Sequence, residues 1–322
     1  MKLLKLARSL AVAATAFAAA SPAMAEFPER DITIVMPFPP GGGTDLVIRE
    51  IAKQIQNMGG PTLIVDNRPG AGGTIAAMYA KDAEPDGYTI FFGNASTHAI
   101  NPYIMSVPYD PVADFVPVLD LMSFPHVLLV PTSSGIETLD QLIELAKTKE
   151  GGLSFATQGL GSGGQLLGEQ LRISTGTNMV AIPFQGGGPA LLETSTGRTD
   201  FMFNGFGPAR SFVEDGELRP IAVTGPDRLP QLPDVPTMAE LGHPDVNAEF
   251  WFGVFAPAGT PDDVVEKLHE IFAKAVDTEG VSNVMASMAA TVSLGTGKEL
   301  GARVESDLKK MKALTEAIGI AK

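Results

Sequence analysis

The chain has 322 residues, of which 44% are apolar, and a formal net charge of −14. This length and apolar content describe a globular protein large enough for two hydrophobic cores. The acidic balance argues against nucleic acid or an anionic membrane as a partner. The lack of cysteine excludes disulfides, thiolate metal sites and a cysteine nucleophile.

Residues 1–25 have the pattern of an export signal. A positive segment with Lys2, Lys5 and Arg8 precedes the short apolar run "LAVAATAFAAA", and "AMA" at 23–25 predicts cleavage after Ala25. The apolar run is shorter than the roughly 20 residues that span a bilayer, which argues against a membrane anchor. Because the segment holds three Lys or Arg and no Asp or Glu, its removal lowers the net charge from −14 to −17. We therefore expect a free protein in the periplasm.

The rest of the chain alternates between apolar segments and stretches with helical periodicity. Eight segments predict strands: "ITIVMPF", "TLIVDN", "YTIFFGN", "HVLLVP", "LSFATQ", "MVAIPFQ", "DFMFNGF" and "RPIAVTG". They are apolar throughout rather than alternating, which is typical of sheets covered on both faces. The pattern predicts an α/β fold.

Helix signals support this prediction. One helix is indicated by apolar residues at i, i+3, i+4 and i+7, namely Ile48, Ile51, Ala52 and Ile55. Gly59 and Gly60 follow it as a stop signal. Near the C-terminus, Thr260 as N-cap, Pro261 in the first turn and Asp263 in a capping box predict the start of another helix.

Two stretches share one arrangement. "ITIVMPFPPGGGTD" and "LSFATQGLGSGGQLLGEQL" each run from a strand through a glycine-rich loop into a helix. The first N–H groups of such a helix are unpaired and the positive end of its dipole points into the loop, so an anion can be held there. Thr44, Thr157 and Ser162 add hydroxyl groups. The alternative is that the glycines only form tight turns, but two such loops favour anion binding. Asp45 is interpreted as stabilising the first helical turn rather than contacting a ligand.

Competing motifs are incomplete. "GLGSGG" at 159–164 has the spacing of a dinucleotide fingerprint, but the next strand, "MVAIPFQ", ends without the acidic residue that binds the ribose. Neither loop closes with the lysine of a P-loop. Leu160 stands where the nucleophile elbow of a serine hydrolase has a glycine. In "HEIFA", Ala273 stands where a zinc-protease motif has its second histidine. The histidines are scattered along the chain. We predict no metal, no cofactor and no enzyme activity.

The residues also resemble a known family. The similarity lies in "FPERDITIVMPFPPGGGTD", "NRPGAGG" (67–73), "PDGYT" (85–89), "NP" at 101–102, "PYDPVADFVPV" (108–118), "ATQGLGSGG", "PFQGGGPALLETSTGR", "LPDVPTMAELG" (232–242) and "WFGVFAPAGTP" (251–261). In this order, the motifs resemble those of the periplasmic substrate-binding receptors of tripartite tricarboxylate transporters, also called Bug receptors. The resemblance implies a bilobed periplasmic-binding-protein fold of type II, two α/β lobes joined by a hinge, with a small organic acid, often a carboxylate, bound between them. It also implies a two-subunit membrane permease, driven by an ion gradient, as partner, and we expect a monomer.

By the same resemblance, residues 26–127 and 248–322 form one lobe and residues 128–247 form the other. Each lobe then offers one glycine-rich helix N-terminus to the cleft. The candidate ligand-binding residues lie in these loops and at strand ends: Phe38, Gly42, Gly43, Thr44, Ala71, Gly72, Ser96, Thr97, Thr157, Gly161, Ser162, Gln185 and Asn204.

The chain departs from the family pattern at two places that bear on the ligand. Many members carry a histidine after the second loop, where this chain has Gly164 or Gln165, and a Tyr-Lys-Gly triplet where it has "FQG" at 184–186. Gln185 therefore stands where relatives often place lysine, and we expect it to help select the acid. Phe203 and Phe206 are either ordinary core residues or contacts for an apolar acid. A sensory receptor for a two-component kinase, with the same binding fold, remains the alternative function.

Overall fold

The computed structural model describes residues 27–247 and 249–318. The predicted export signal and its cleavage site lie outside the described residues. The strands are β1 Ile32–Met36, β2 Leu63–Asn67, β3 Thr89–Asn94, β4 Phe115–Phe124, β5 His126–Pro131, β6 Leu153–Thr157, β7 Met179–Pro183, β8 Phe201–Gly205, β9 Leu218–Val223, β10 Phe250–Pro257 and β11 Thr291–Thr296. The α-helices are α1 Gly43–Asn57, α2 Thr74–Lys81, α3 Asn101–Ile104, α4 Leu139–Thr148, α5 Gly163–Thr175, α6 Gly187–Ser195, α7 Phe206–Glu214, α8 Asp262–Val276, α9 Glu279–Ser287 and α10 Gly297–Ile318.

The strands form two mixed sheets, one in each lobe. The sheet of the first lobe has the order β11-β4-β10-β3-β1-β2, and the sheet of the second lobe has the order β7-β6-β8-β5-β9. In the first sheet β1 runs parallel to both β2 and β3, and in the second β6 runs parallel to both β7 and β8. Parallel neighbours place their carboxyl ends at one edge of the sheet. The loops after β1, β2 and β3 therefore share one edge, and those after β6, β7 and β8 share another.

Helices cover both sheets and bury their central strands, whereas the edge strands β7 and β11 stay partly exposed. In the first lobe, one core packs β1 and β10 against α1 and α8, and the other packs β3 against α2 and α10. In the second lobe, Phe155, Phe201 and Phe203 lie in one core with α4 and α5. These residues confirm the predicted α/β class.

The chain passes between the two sheets at Pro125 and again between β9 and β10. The second sheet begins at His126, which pairs with Gly205, two residues before the expected lobe boundary. The remaining lobe limits stay predictions.

Two features differ from the sequence expectations. Strands β4, β10 and β11 were not among the predicted strands. Pro117 interrupts the apolar run of β4, and the pairing of β11 with β4 shifts register between Val292 and Gly295. Helix α8 has Pro261 rather than Thr260 as its N-cap, without a side-chain cap. The Thr260 hydroxyl instead donates to the Pro257 carbonyl at 2.8 Å.

Candidate functional site: the cleft between the two lobes

The first glycine-rich loop leads into the uncapped N-terminus of α1. Gly42 is the N-cap and has no side chain to bond the first N–H groups. Asp45 is buried and its carboxylate accepts from the Gly41 N–H (2.9 Å), Asn67 Nδ2 (3.0 Å) and Arg49 Nε (2.8 Å). Burial raises the pKa of Asp45, but these hydrogen bonds outweigh it and the pKa is lowered. Asp45 thus holds the loop on the helix, while the helix amides remain available to a ligand.

The loops after β2 and β3 lie beside the first one. A Cβ on Gly73 would approach Thr97 Cγ2 to 2.7 Å and Pro37 Cβ to 3.1 Å, so the three loops meet at Gly73. Ala71 and Gly72 just before it are exposed. Thr97 is buried, and its hydroxyl donates to the Asn94 carbonyl and accepts from the Asn94 N–H. Its hydrogen-bonding capacity is therefore used to shape the loop.

The second glycine-rich loop supplies the side-chain cap of the helix that follows it. Ser162 is the N-cap of α5, and its Oγ accepts from the Gln165 N–H at 3.3 Å. The Gln165 side chain returns to accept from the N–H of Gly161, the residue before the N-cap, at 2.9 Å, in an arrangement related to a capping box. Thr157 is buried, and its hydroxyl lies 3.3 Å from the Gly159 nitrogen. This arrangement leaves the hydroxyl proton of Ser162 free to donate to a ligand.

The two lobes meet at one side of the cleft through Ser96 and Gly161. Ser96 Oγ donates to the Gly161 carbonyl at 2.8 Å. A Cβ on Gly161 would overlap with Asn101 Oδ1 and lie 2.8 Å from Ile104 Cδ1, so this contact requires glycine. Asn101 also donates to the Gly72 carbonyl at 2.8 Å. These bonds bring the loops of the first lobe against the N-terminal loop of α5.

A second contact between the lobes involves the start of α7. The Met288 side chain of the first lobe packs on Gly43, where a Cβ would lie 2.8 Å from Met288 Cε. The Met288 backbone packs on Gly207 at the start of α7. The first residues of α1 and α7 are therefore linked across the cleft by Met288.

The wall of the second lobe contains an amide pair. Gln158 Nε2 donates to the Phe203 carbonyl (2.7 Å) and to Asn204 Oδ1 (3.0 Å), and Gln158 Oε1 accepts from the Gly164 N–H (3.2 Å). Asn204 is only 6% exposed. Its Nδ2 has no hydrogen-bond partner among the described residues.

The two phenylalanines near Asn204 belong to the core. Phe203 is 0% exposed and packs with Phe201, and Phe206 is 5% exposed in a separate cluster. The interpretation as core residues is thus correct for both. Gln185 is exposed at the end of β7, and its role stays a prediction.

The two buried histidines, His98 and His126, pack against aromatic side chains. Burial lowers the pKa of His98 to about 3 and that of His126 to about 4, so both imidazoles are neutral near pH 7. His98 stacks on Phe255 with ring centroids 3.8 Å apart. Within residues 27–247 and 249–318, no group of three or more His, Asp or Glu side chains is placed to hold a metal ion.

Three residues of the cleft were missed by sequence reasoning. Gln158 lies in the second glycine-rich loop and Asn101 in the "NP" motif, so their positions in those motifs could have drawn attention to them. Met288 lies between α9 and β11 and belongs to none of the quoted motifs. Only the folded chain places it at the cleft.

Two α/β lobes, joined at two crossings and facing each other through glycine-rich helix N-termini, define a solute-binding protein of the periplasmic type. The family model of the tripartite tricarboxylate transporter family receptors (TctC) matches residues 47–320. The chain therefore belongs to this family, and the resemblance and bilobed fold expected from the sequence are confirmed. It is a solute receptor of a tripartite transporter. Among residues 27–247 and 249–318, every helix is too short or too polar to cross a membrane.

Individual relatives are similar over almost their whole length. The chain is 32% identical to BugT of Bordetella pertussis over 308 residues, which cover 95% of this chain and 94% of BugT. A Rhodopseudomonas palustris protein solved with adipate has a TM-score of 0.83 and 32% identity, over 92% of this chain and 99% of that one. MatC from the same organism, solved with bound malate, has a TM-score of 0.81 and 30% identity, over 89% and 99% of the two chains.

Proposed function

We propose that the protein captures a small organic acid between its lobes and delivers it, unchanged, to the membrane permease of a tripartite transporter. The observation that carries this proposal is the contact between Ser96 and Gly161, which joins the loop after β3 in the first lobe to the glycine-rich loop before α5 in the second. The N-termini of α1 and α5 both carry the positive end of a helix dipole. The N-terminus of α1 has no side-chain cap and offers unpaired N–H groups, whereas the Gly164 and Gln165 N–H groups of α5 are already bonded to Gln158 and Ser162. The structures of relatives with adipate and with malate support a carboxylate as ligand.

We place the acid among the backbone, hydroxyl and amide groups of the facing loops. In the first lobe these come from residues 38 and 42–44, from residues 71–72 and from Ser96. In the second lobe they come from Ser162, Gln185 and the buried amide of Asn204, while Gly161 contributes by holding the loops together, because its N–H and carbonyl are bonded to Gln165 and Ser96. Thr97 and Thr157 contribute by fixing their loops, because their hydroxyls bond within those loops.

The negative net charge does not forbid an anionic ligand. Charges farther away than a Debye length of roughly 8 to 10 Å are screened by salt, whereas the helix amides act at contact distance. We further propose export to the periplasm with cleavage after Ala25, a monomeric receptor, and lobes that comprise residues 26–125 with 248–322 and residues 126–247, the first boundary being taken at the start of β5.

The experiment is a thermal-shift screen of residues 26–322 with mono-, di- and tricarboxylates. A ligand that binds the native state raises the melting temperature by mass action, so at least one acid should do so. Each stabilising acid is then incubated with the protein and followed by NMR, and we expect it to remain unchanged. Either no stabilising acid or catalysed loss of one contradicts the proposal.

A further inference from the structure

The second lobe contains a buried hydrogen-bond donor that lacks a partner. Asn204 is the penultimate residue of β8, is 6% exposed, and its Nδ2 has no partner among the described residues. A buried amide without partners costs free energy. A donor left unpaired at the carboxyl end of a parallel strand is therefore expected to serve a bound molecule.

Gln158 fixes the orientation of the Asn204 amide. As a result Nδ2, the donor, and not Oδ1, the acceptor, is the atom left available to a ligand. Gln158 Nε2 lies between two acceptors, the Phe203 carbonyl and Asn204 Oδ1, and its Oε1 faces the Gly164 N–H. Turning the Gln158 amide over would set its oxygen against the Phe203 carbonyl. The orientation of Gln158 is thus fixed, and it holds Asn204 Oδ1 on one side and Nδ2 on the other.

The N-terminus of α6 lies next to this donor. Gly186 is its N-cap and provides no side-chain cap, and the helix runs for nine residues. A Cβ on Gly187 would lie 3.5 Å from both Nδ2 and Oδ1 of Asn204, so the helix starts beside this amide, and a Cβ on Gly188 would meet no atom within 4 Å. The uncapped N–H groups of this turn and the Asn204 amide are all donors, and the helix dipole adds a positive potential.

We propose that Asn204 Nδ2 and the first turn of α6 form a neutral subsite that selects an acceptor, a second carboxylate, at the far end of the bound acid, with Gln158 as the positioning residue. This inference rests on the proposed function, since it assigns one end of the acid to the second lobe. An ammonium group at the same end finds only donors and is rejected. The subsite therefore discriminates by hydrogen-bond direction and not by a cationic side chain.

The test compares acids that differ only at one end. Succinate, glutarate and adipate are titrated by calorimetry beside 3-aminopropanoate, 4-aminobutanoate and 5-aminopentanoate, in which an ammonium replaces one carboxylate. We expect at least one dicarboxylate to bind the wild-type protein at least tenfold more tightly than its amino counterpart. Propanoate, butanoate and pentanoate, which lack the second polar end, report whether any carboxylate is bound.

Two variants address the two residues. Asn204→Asp has nearly the same shape but presents only acceptors, so it should weaken dicarboxylate binding at least tenfold and leave the amino acid as tight or tighter. Gln158→Met removes the donor that orients Asn204, and should reduce the ratio of the two affinities by less than Asn204→Asp does. Asn178→Asp is the matched control, because Asn178 is exposed at the opposite end of β7 and its substitution adds the same charge. It should keep the wild-type ratio.

The outcomes separate the subsite from the receptor function. The subsite is wrong, and the receptor function stands, in either of two cases. In the first, monocarboxylates bind but each dicarboxylate has the same affinity as its amino counterpart. In the second, Asn204→Asp leaves the ratio of those two affinities unchanged. If none of the acids binds, both fail. Melting curves without ligand establish that each variant is folded before its affinities are compared.

Discussion

Gly207 in the second lobe lies directly on the backbone of Met288 in the first: a Cβ on residue 207 would stand 2.7 Å from Met288 Cα. A backbone atom cannot move aside as a flexible side chain can, so this contact admits only glycine. Because Gly207 lies in α7 of the second lobe and Met288 follows α9 in the first, the restriction applies to how the two lobes meet and not to either lobe alone.

We expect the lobes to make this contact when they close on a ligand, so Gly207→Ala should weaken ligand binding without destabilising the open, unliganded protein. Overpacking of this kind costs about 1 to 3 kcal/mol, which corresponds to roughly 5- to 150-fold in dissociation constant. Alanine is the better helix former, so the melting temperature without ligand should stay the same or rise. Calorimetry with an acid identified by the thermal-shift screen measures the first effect, and a melting curve measures the second.

Gly301→Ala serves as the control for Gly207→Ala. Gly301 lies in α10, and a Cβ there would meet only Pro117 Cγ at an ordinary 3.5 Å. This variant should bind the acid as the wild type does. Equal affinities for Gly207→Ala and Gly301→Ala would show that closure does not bring Gly207 onto Met288.

We expect Ser162→Ala to lower both stability and affinity. Its Oγ caps α5 through the Gln165 N–H at 3.3 Å, and losing such a cap costs about 1 kcal/mol of unfolding free energy. Losing a hydrogen bond from its hydroxyl to a charged ligand weakens binding by about 1.5 to 3 kcal/mol. Urea unfolding and calorimetry measure the two quantities.

Thr138→Ala is a matched control for Ser162→Ala, because Thr138 caps α4 through the Gln141 N–H at the same 3.3 Å. It should lose similar stability and keep its affinity. If Ser162→Ala behaves in the same way as Thr138→Ala, then Ser162 only caps the helix.

We expect Ala71→Gly to leave stability unchanged or to raise it. Ala71 is exposed and has a φ of 47°, in the left-handed region that costs an L-residue about 1 to 2 kcal/mol. Glycine removes this strain, and its greater freedom in the unfolded chain offsets about 0.4 to 1 kcal/mol. The same substitution at Ala302, exposed in α10, should destabilise by about 1 kcal/mol. Equal losses at both positions in urea unfolding would contradict the strained backbone at Ala71.

We expect the protein to lose stability as the pH falls, in part through His126. Burial lowers the pKa of His126 from 6.5 to about 4, so between these values the unfolded chain binds a proton that the folded protein does not. This contribution is complete above pH 6.5 and is lost as the pH falls toward about 4. His126→Gln should therefore reduce the slope of unfolding free energy against pH in that window, by up to about 1.4 kcal/mol per pH unit. Identical slopes, from urea unfolding between pH 7 and 4.5, would mean that His126 is not held neutral.

We expect Gln185→Lys to favour dianionic over monoanionic acids by about 1 kcal/mol, because lysine adds three donors and a full charge while solvent weakens the gain. A dicarboxylate and its monoamide are titrated into both proteins at fixed ionic strength. Gln56→Lys adds the same charge at an exposed position on α1 and should not change the ratio of affinities. An unchanged ratio in Gln185→Lys would place residue 185 away from the ligand.

Much of the site could be predicted from local sequence, because its components are local. A strand followed by glycines and a helix places unpaired amides at one end of that helix, whatever the rest of the chain does. The role of Asp45 in the first turn follows from the same spacing. By contrast, the interpretation of the hydroxyls of Thr97 and Thr157 needed the fold, since only their burial and loop geometry show that they bond within their own loops.

The sequence by itself determined the α/β class, the family and the two glycine-rich helix starts, since these depend on periodicity and on motifs a few residues long. Only the tertiary structure decided which residues face each other across the cleft. Ser96 and Gly161 are 65 positions apart, and Gly207 and Met288 come from different lobes, so no local pattern relates them. The unpaired amide of Asn204 likewise depends on a bond from Gln158, 46 positions earlier. Long-range contacts of this kind arise from how the sheets pack, and the cleft is built from them.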